Sequence, residues 1–314
     1  MKRAIVFPGQ GSQQVGMGKE LAQNFEVARF AFEEMDDVLG QKLSTIMFEG
    51  PEEELRRTEN AQPAIMANSI AMLRVLEREA KLKPEEYATF FAGHSLGEYT
   101  ALCAARSISF EDTLRLLRLR GQSMQKAVPE DEGAMAALLG YSFDKANMLI
   151  NSVARYGVCA IANDNSPEQV VISGTKKLVQ QAVEMAQADG AGKAIMLQVS
   201  APFHCALMQP AAVIMEEALA KVEVRVPMRP IVANVTASAV TDPVEIRKLL
   251  VQQVTGRVRW RESVQYMVKQ GVAFALELGE GKVLSGLIRR IDPGISPMAV
   301  GQLKDIEVFC RQLA

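Results

Sequence analysis

Gly93-His94-Ser95-Leu96-Gly97 sets a G-x-S-x-G pattern between the apolar run Thr89-Phe90-Phe91-Ala92 and the helix-forming run Glu98-Tyr99-Thr100-Ala101-Leu102-Cys103-Ala104-Ala105. Strand, sharp turn and helix are the context in which this pattern makes a nucleophile elbow. In so tight a turn a Cβ at either flanking position would collide with the neighbouring strand or helix, so both positions need glycine. The serine then stands at the tip of the turn, beside a helix N-terminus. The free N–H groups and partial positive charge there suit a developing oxyanion. A plain structural turn is the competing reading.

A serine nucleophile needs a general base, most often histidine. The chain has two histidines, His94 and His204. His94 adjoins Ser95 and points away across the elbow, which leaves His204 as the histidine able to serve. It sits in the loop-like segment Val199-Ser200-Ala201-Pro202-Phe203-His204-Cys205. The order serine then histidine is that of α/β-hydrolases.

Hydrophobic residues make up 48% of the 314 and charged residues 23%, a globular balance. No run approaches the roughly 18 apolar residues of a membrane span. Met1-Lys2-Arg3 leads directly into strand-like Ala4-Ile5-Val6-Phe7 without a signal-peptide pattern, so a cytoplasmic location is expected. Cys103, Cys159, Cys205 and Cys310 show neither a C-x-x-C pair nor zinc spacing and read as reduced, packed thiols. A net charge of −2 argues against nucleic-acid binding. The charge is uneven, with 13 Lys/Arg against 7 Asp/Glu in residues 221–304. Arg225, Arg229, Arg257, Arg259, Arg261, Lys282, Arg289 and Arg290 contribute most visibly. Such a surface suits an acidic or phosphate-bearing partner, or is simply a solvated face.

Strand-like Arg3–Phe7, helices at 25–39 and 61–82, strand 89–93, and helices at 97–106 and 109–127 alternate as in a parallel α/β sheet. Residues 129–198 change character. Strand 133–140, helix 143–155, strands 158–162 and 169–173 around a turn at Asp164-Asn165-Ser166-Pro167, helix 176–189 and strand 194–198 follow the β-α-β-β-α-β order of a ferredoxin-like unit. The main pattern then resumes with helix 206–221, strand 230–234, helices 243–254 and 260–270, strand 273–278, helix 281–291, strand 297–300 and helix 304–313. The expected organisation is a parallel-sheet subdomain of residues 1–128 and 199–314 interrupted by a small subdomain of residues 129–198. Ser95 and His204 flank the insertion, and a cleft between unequal parts is a common ligand site.

Two further constellations fit that site. Phe7-Pro8-Gly9-Gln10-Gly11-Ser12-Gln13 follows the first strand, and its glycines let backbone N–H groups approach a ligand. In an elbow enzyme one oxyanion donor is the N–H after the nucleophile, here Leu96, and another strand-end loop supplies the second, for which Gln10 is the candidate. A plain turn or a phosphate cradle would look the same. Arg120 shares a helical face with Leu116, Leu117 and Met124 and is expected to point inward. A buried guanidinium needs a partner, either a protein carboxylate or that of a substrate.

The segments Phe7–Gln13, Gly93–Tyr99, Arg120-Gly121, Asn163–Pro167, Pro202-Phe203-His204 and Val258-Arg259-Trp260 together resemble the malonyl-CoA:acyl carrier protein transacylases of bacterial fatty acid synthesis, over essentially the whole chain. The resemblance implies an α/β-hydrolase-like large subdomain with a ferredoxin-like insert. It implies that Ser95 is acylated with His204 as base, that Leu96 and Gln10 donate to the oxyanion, and that Arg120 holds the malonyl carboxylate. The backbone carbonyl of Gln253 would orient the histidine. Asn163 would line the cleft, and Phe203 would favour malonyl over methylmalonyl, although many bacterial members have Ser there. Implied substrates are malonyl-CoA and the phosphopantetheine arm of an acidic acyl carrier protein, with no metal, no bound cofactor and a monomeric enzyme. A polyketide acyltransferase acting in trans would share this chemistry. A serine thioesterase would share Ser95 and His204 but would normally add an acidic third member, and a non-catalytic carrier-binding protein would form no acyl-enzyme.

Overall fold

Alternate residues of the first strand are buried on opposite faces, which makes it the middle of a sheet covered on both sides. Ile5 and Phe7 pack with Phe91, Leu276 and Leu278. Ala4 and Val6 pack with Ala92, Val232 and Ala275 on the other face. Apolar residues at every position of such a strand are the mark of a two-sided parallel sheet.

A computed structural model describes residues 1–129, 131–190, 192–199 and 201–313. Glu130 and Ala191 of the expected insert, Ser200 of the loop-like segment, and Ala314 lie outside the described residues. Among the described residues the strands are β1 (Lys2–Phe7), β2 (Phe90–Gly93), β3 (Gly133–Leu139), β4 (Cys159–Ser166), β5 (Gln169–Thr175), β6 (Lys193–Met196), β7 (Ile231–Ala233), β8 (Ser238–Val240), β9 (Val272–Leu278) and β10 (Ser296–Val300). The larger sheet has the order β10-β9-β1-β2-β7-β8. Its neighbours are parallel except for the antiparallel β7–β8 pair. The register Phe7↔Gly93 sets the ends of β1 and β2 side by side, so the loops that follow them share one edge.

The smaller sheet is antiparallel throughout, in the order β4-β5-β3-β6. Helices Phe143–Ala154 and Lys176–Asp189 pack on it through a core of its own, including Leu138, Ile150, Ile161, Ile172 and Val179. This is the β-α-β-β-α-β unit expected from the sequence. Among the described residues no helix is long and apolar enough to cross a membrane.

The expected turn at Asp164–Pro167 is a correction. β4 continues through Ser166, and only Pro167-Glu168 turn before β5. The polar residues that read as a turn are satisfied from the larger part instead. Asp164, fully buried, takes Arg261 through both carboxylate oxygens at 2.7–3.1 Å. Its N–H donates to the Val258 carbonyl at 2.9 Å, and Val258 N–H donates to Ala162 at 2.8 Å. These ties join the two parts where a solvated turn would have left them separate. The β7–β8 pairing and the helices Lys19–Asn24, Leu43–Glu49, Glu52–Arg56 and Pro84–Tyr87 were not foreseen; β8 is three residues long, and each of these helices has seven or fewer. Such pieces are too short to show a period. The buried carboxylate of Glu277, at the end of β9, accepts the N–H groups of Leu284 (3.0 Å) and Ser285 (2.7 Å) and so caps helix Val283–Ile291.

Candidate active site

Ser95 has φ 54° and ψ −111°, a conformation that L residues rarely adopt. Such strain costs on the order of 1–3 kcal/mol and persists only where the surroundings over-determine it. Here they do. His94 N–H donates to Phe7 O at 3.1 Å, joining the elbow to the end of β1. Asn234, in the β7–β8 turn, accepts Ser95 N–H on Oδ1 at 2.7 Å and donates Nδ2 to Gly93 O at 2.7 Å. A Cβ on Gly93 would land on the Gly97 carbonyl, and one on Gly97 would land on the Phe7 carbonyl. Both glycines are therefore demanded by close backbone approach.

Ser95 Oγ lies 2.8 Å from His204 Nε2. His204 Nδ1 lies 2.9 Å from the Gln253 carbonyl and 3.1 Å from that of Gly256. Carbonyl oxygens only accept, so Nδ1 carries the proton and Nε2 is free to receive the serine proton. Burial, and next the Arg120 charge, hold the His204 imidazole down at about 3 against an ordinary 6.5. It is neutral, with Nε2 bare and directed at the serine hydroxyl, throughout the physiological range. Cys205, the thiol nearest in sequence, donates to Pro202 O at 3.2 Å and is pushed up by burial, so it offers no thiolate.

Arg120 is 1% exposed. Its guanidinium donates to Gln62 Oε1 at 2.8 Å, Gln253 Oε1 at 2.9 Å and Ser95 Oγ at 3.2 Å, and Nε finds no partner among the described residues. It forms no ion pair among them; Glu98 acts on it electrostatically without direct contact. Its partners are thus neutral oxygens, with the cation facing the serine.

The remaining expected residues fall around the same cleft, of about 430 Å³. Gln10, Asn163 and Phe203 line it, together with Met124 and Met135. The N–H groups of Gln10 and Leu96 donate to no other described residue, whereas that of Ser95 is taken by Asn234. Asn163 sits on β4 and bridges to Val258. His94 turns from the serine to Asn165, with Nε2 2.8 Å from Oδ1. No cluster of three potential metal-binding side chains occurs among the described residues.

Gln62, Asn234 and Glu98 escaped the sequence reading. Gln62 and Asn234 carry no local signal, since each acts through a partner more than 50 residues away. Glu98 had one: a charged residue in the first turn of an otherwise apolar helix. It is 2% exposed and accepts on Oε2 from Asn234 N–H (3.0 Å) and Gln253 Nε2 (2.8 Å). Burial pushes its carboxyl up to about 7. The expected basic surface is also reduced by internal pairing. Arg225 pairs with Glu223, Arg257 and Arg259 with Glu262, and Arg261 with Asp164. Arg229, Lys282, Arg289 and Arg290 remain exposed, without an ion pair among the described residues.

Residues 4–285 match the family model described as the acyl transferase domain. The malonyl CoA-acyl carrier protein transacylase of Bacillus subtilis is 43% identical over 313 residues, covering 99% of this chain and 97% of that protein. The protein of the same name from Escherichia coli K12 is 42% identical, covering 95% and 96%. A solved acyl-carrier-protein-S-malonyltransferase from Bartonella henselae superposes with a TM-score of 0.97 at 52% identity, covering 100% of this chain and 99% of that one. A malonyl-transacylase solved in complex with its type II PKS acyl-carrier protein superposes at 0.95 with 41% identity, covering 99% and 100%.

Proposed function

The chain belongs to the acyl transferase family, and from that premise we propose that it moves malonyl groups from malonyl-CoA to the phosphopantetheine thiol of an acyl carrier protein, supplying fatty acid elongation. The observation that carries this reading is Arg120, a buried cation without a carboxylate contact among the described residues, which reaches the hydroxyl bonded to His204. A substrate carboxylate supplies the missing anion through two parallel hydrogen bonds. Simple esters and acetyl groups have nothing to offer it.

The reaction runs in two halves. His204 Nε2 takes the Ser95 proton as Oγ attacks the thioester carbonyl. The N–H groups of Gln10 and Leu96 receive the oxyanion, each such donor being worth about 3 kcal/mol. The C–S bond breaks, the CoA sulfur takes the proton from His204, and a malonyl ester remains on Ser95. The carrier thiol then gives its proton to His204 and attacks the ester, and the proton returns to Ser95 as the new thioester leaves. This is ping-pong acyl transfer, with chemistry that needs no cofactor. The same reading keeps residues 1–128 with 199–314 as the catalytic subdomain and 129–198 as the small one, the cleft running between them.

A thioesterase reading is disfavoured by His204 Nδ1, which faces two carbonyls and, among the described residues, no carboxylate. A polyketide carrier would use every step above, and the carrier that discharges the enzyme fastest tells the two settings apart. Intact-protein mass spectrometry tests the whole reading. Brief mixing with malonyl-CoA is expected to add one malonyl mass, which carrier protein then removes. Release of free malonate with no adduct would instead identify a hydrolase.

The carrier is proposed to be acidic and to meet Lys282, Arg289 and Arg290. Raising salt from about 50 to 200 mM is then expected to increase KM for the carrier several-fold, as screening shortens the reach of surface charge. A KM independent of salt would remove this docking surface from the proposal.

A further inference from the structure

Beneath the elbow one buried carboxylate gathers the groups that hold the reacting residues. Gln253 orients His204 with its backbone carbonyl and Arg120 with its side-chain Oε1. Asn234 holds the Ser95 N–H. Both converge on Glu98 Oε2, Gln253 through Nε2 at 2.8 Å and Asn234 through its backbone N–H at 3.0 Å. Gln253 Nε2 also reaches Ser95 O at 3.0 Å. An amide can flip by exchanging O and N, and a flipped Gln253 would present N–H groups to Arg120. A carboxylate accepts only, so it fixes which way the amide points.

We propose that ionised Glu98 is a positioning residue of the transfer reaction: it locks Gln253 and Asn234, and through them the base, the guanidinium and the nucleophile. It touches no reacting atom. The role is that of the acid in a hydrolase triad, displaced by one glutamine. The inference rests on the transferase reading above and extends it to a residue outside the set that meets substrate.

The test is the acylation half-reaction with malonyl-CoA, followed by rapid quench and mass spectrometry from pH 5.5 to 9. Wild type, Glu98→Gln and Glu98→Ala are compared. The groups facing Glu98 are Arg120 from helix Phe110–Lys126 and Tyr99 on its own helix, with His204 beyond Gln253. Tyr99 is pushed up to about 12 and His204 down to about 3, so neither titrates near neutrality. Glu98, at about 7, does. Wild type is expected to slow as pH falls through 7. Glu98→Gln is expected to lose that limb and run about tenfold slower at pH 8, and Glu98→Ala about a hundredfold slower. The loss should fall mainly on the acylation rate, with KM for malonyl-CoA rising less, because Arg120 keeps its bond to Gln62.

Melting temperature separates positioning from mere support. Glu98 has a folded pKa above its unfolded value, so the neutral form favours folding and that stability is lost as pH rises through 7. Glu98→Gln should therefore melt no lower than wild type at pH 8 while reacting more slowly. A wild-type rate and an unchanged acid limb in Glu98→Gln would overturn the proposal, as would a rate loss matched by a lower melting temperature. Failure of the wild type itself to acylate would instead overturn the transferase reading.

Discussion

Replacing Ser95 by alanine is expected to abolish the malonyl-enzyme adduct and to lower transfer by about 10⁴-fold or more. Among the described residues no thiol and no second hydroxyl lines the cleft. Cys205, which follows His204, is buried and bonded to Pro202 O, and burial pushes Cys103 up to about 12 and Cys159 up to about 11. The substitution leaves the elbow standing, because the strained turn is held by backbone groups and by Asn234. Arg120 keeps its bonds to Gln62 and Gln253. His204→Ala should cost nearly as much, since a neutral serine hydroxyl without a base is a weak nucleophile. The double variant should be little worse than either single one, because the two residues act as a unit. Substantial adduct on Ser95→Ala, located by peptide mapping, would move the nucleophile elsewhere and overturn the mechanism.

Arg120→Ala is expected to lower kcat/KM for malonyl-CoA by about 10²–10³-fold and that for acetyl-CoA by no more than about tenfold. Truncating one partner of a buried, hydrogen-bonded charge pair costs about 2–5 kcal/mol, and only malonyl brings the second charge. The smaller acetyl effect reflects the 3.2 Å bond from Arg120 to Ser95 Oγ, which both substrates lose. Arg120→Lys should recover only part of the malonyl rate, because an ammonium has the charge without the two-pronged fork. Competition between the two thioesters in one tube measures the ratio directly. Equal losses for malonyl and acetyl would show that Arg120 supports the serine and does not read the substrate.

The residues of the site differ in how far each could be read beforehand. Ser95 and Leu96 were legible because a tight strand-to-helix turn imposes glycine at fixed spacing, and the clashes found at Gly93 and Gly97 are the physical form of that rule. His204 was legible because the chain has one other histidine and that one adjoins the serine. Arg120 was legible as an inward-facing cation, but its neutral partners Gln62 and Gln253 were not, since uncharged amides carry no period and no spacing. Asp164-Asn165-Ser166-Pro167 was misread for a related reason. Composition favours a turn there, while Arg261, Val258 and His94, all distant in sequence, draw those residues into a strand and a junction.

What the sequence alone determined is local: the elbow, its helix, the alternation of strands and helices, and the order of the inserted unit. These follow from steric rules and periodicities that act over a few residues. The tertiary structure decided the electrostatics. Packing removes water from His204, Glu98 and Arg120 together, and desolvation holds the imidazole near 3, lifts the carboxyl to about 7 and leaves the guanidinium among neutral oxygens. Desolvation depends on which surfaces meet, and chain segments more than a hundred residues apart meet here only because the folded sheets bring them together.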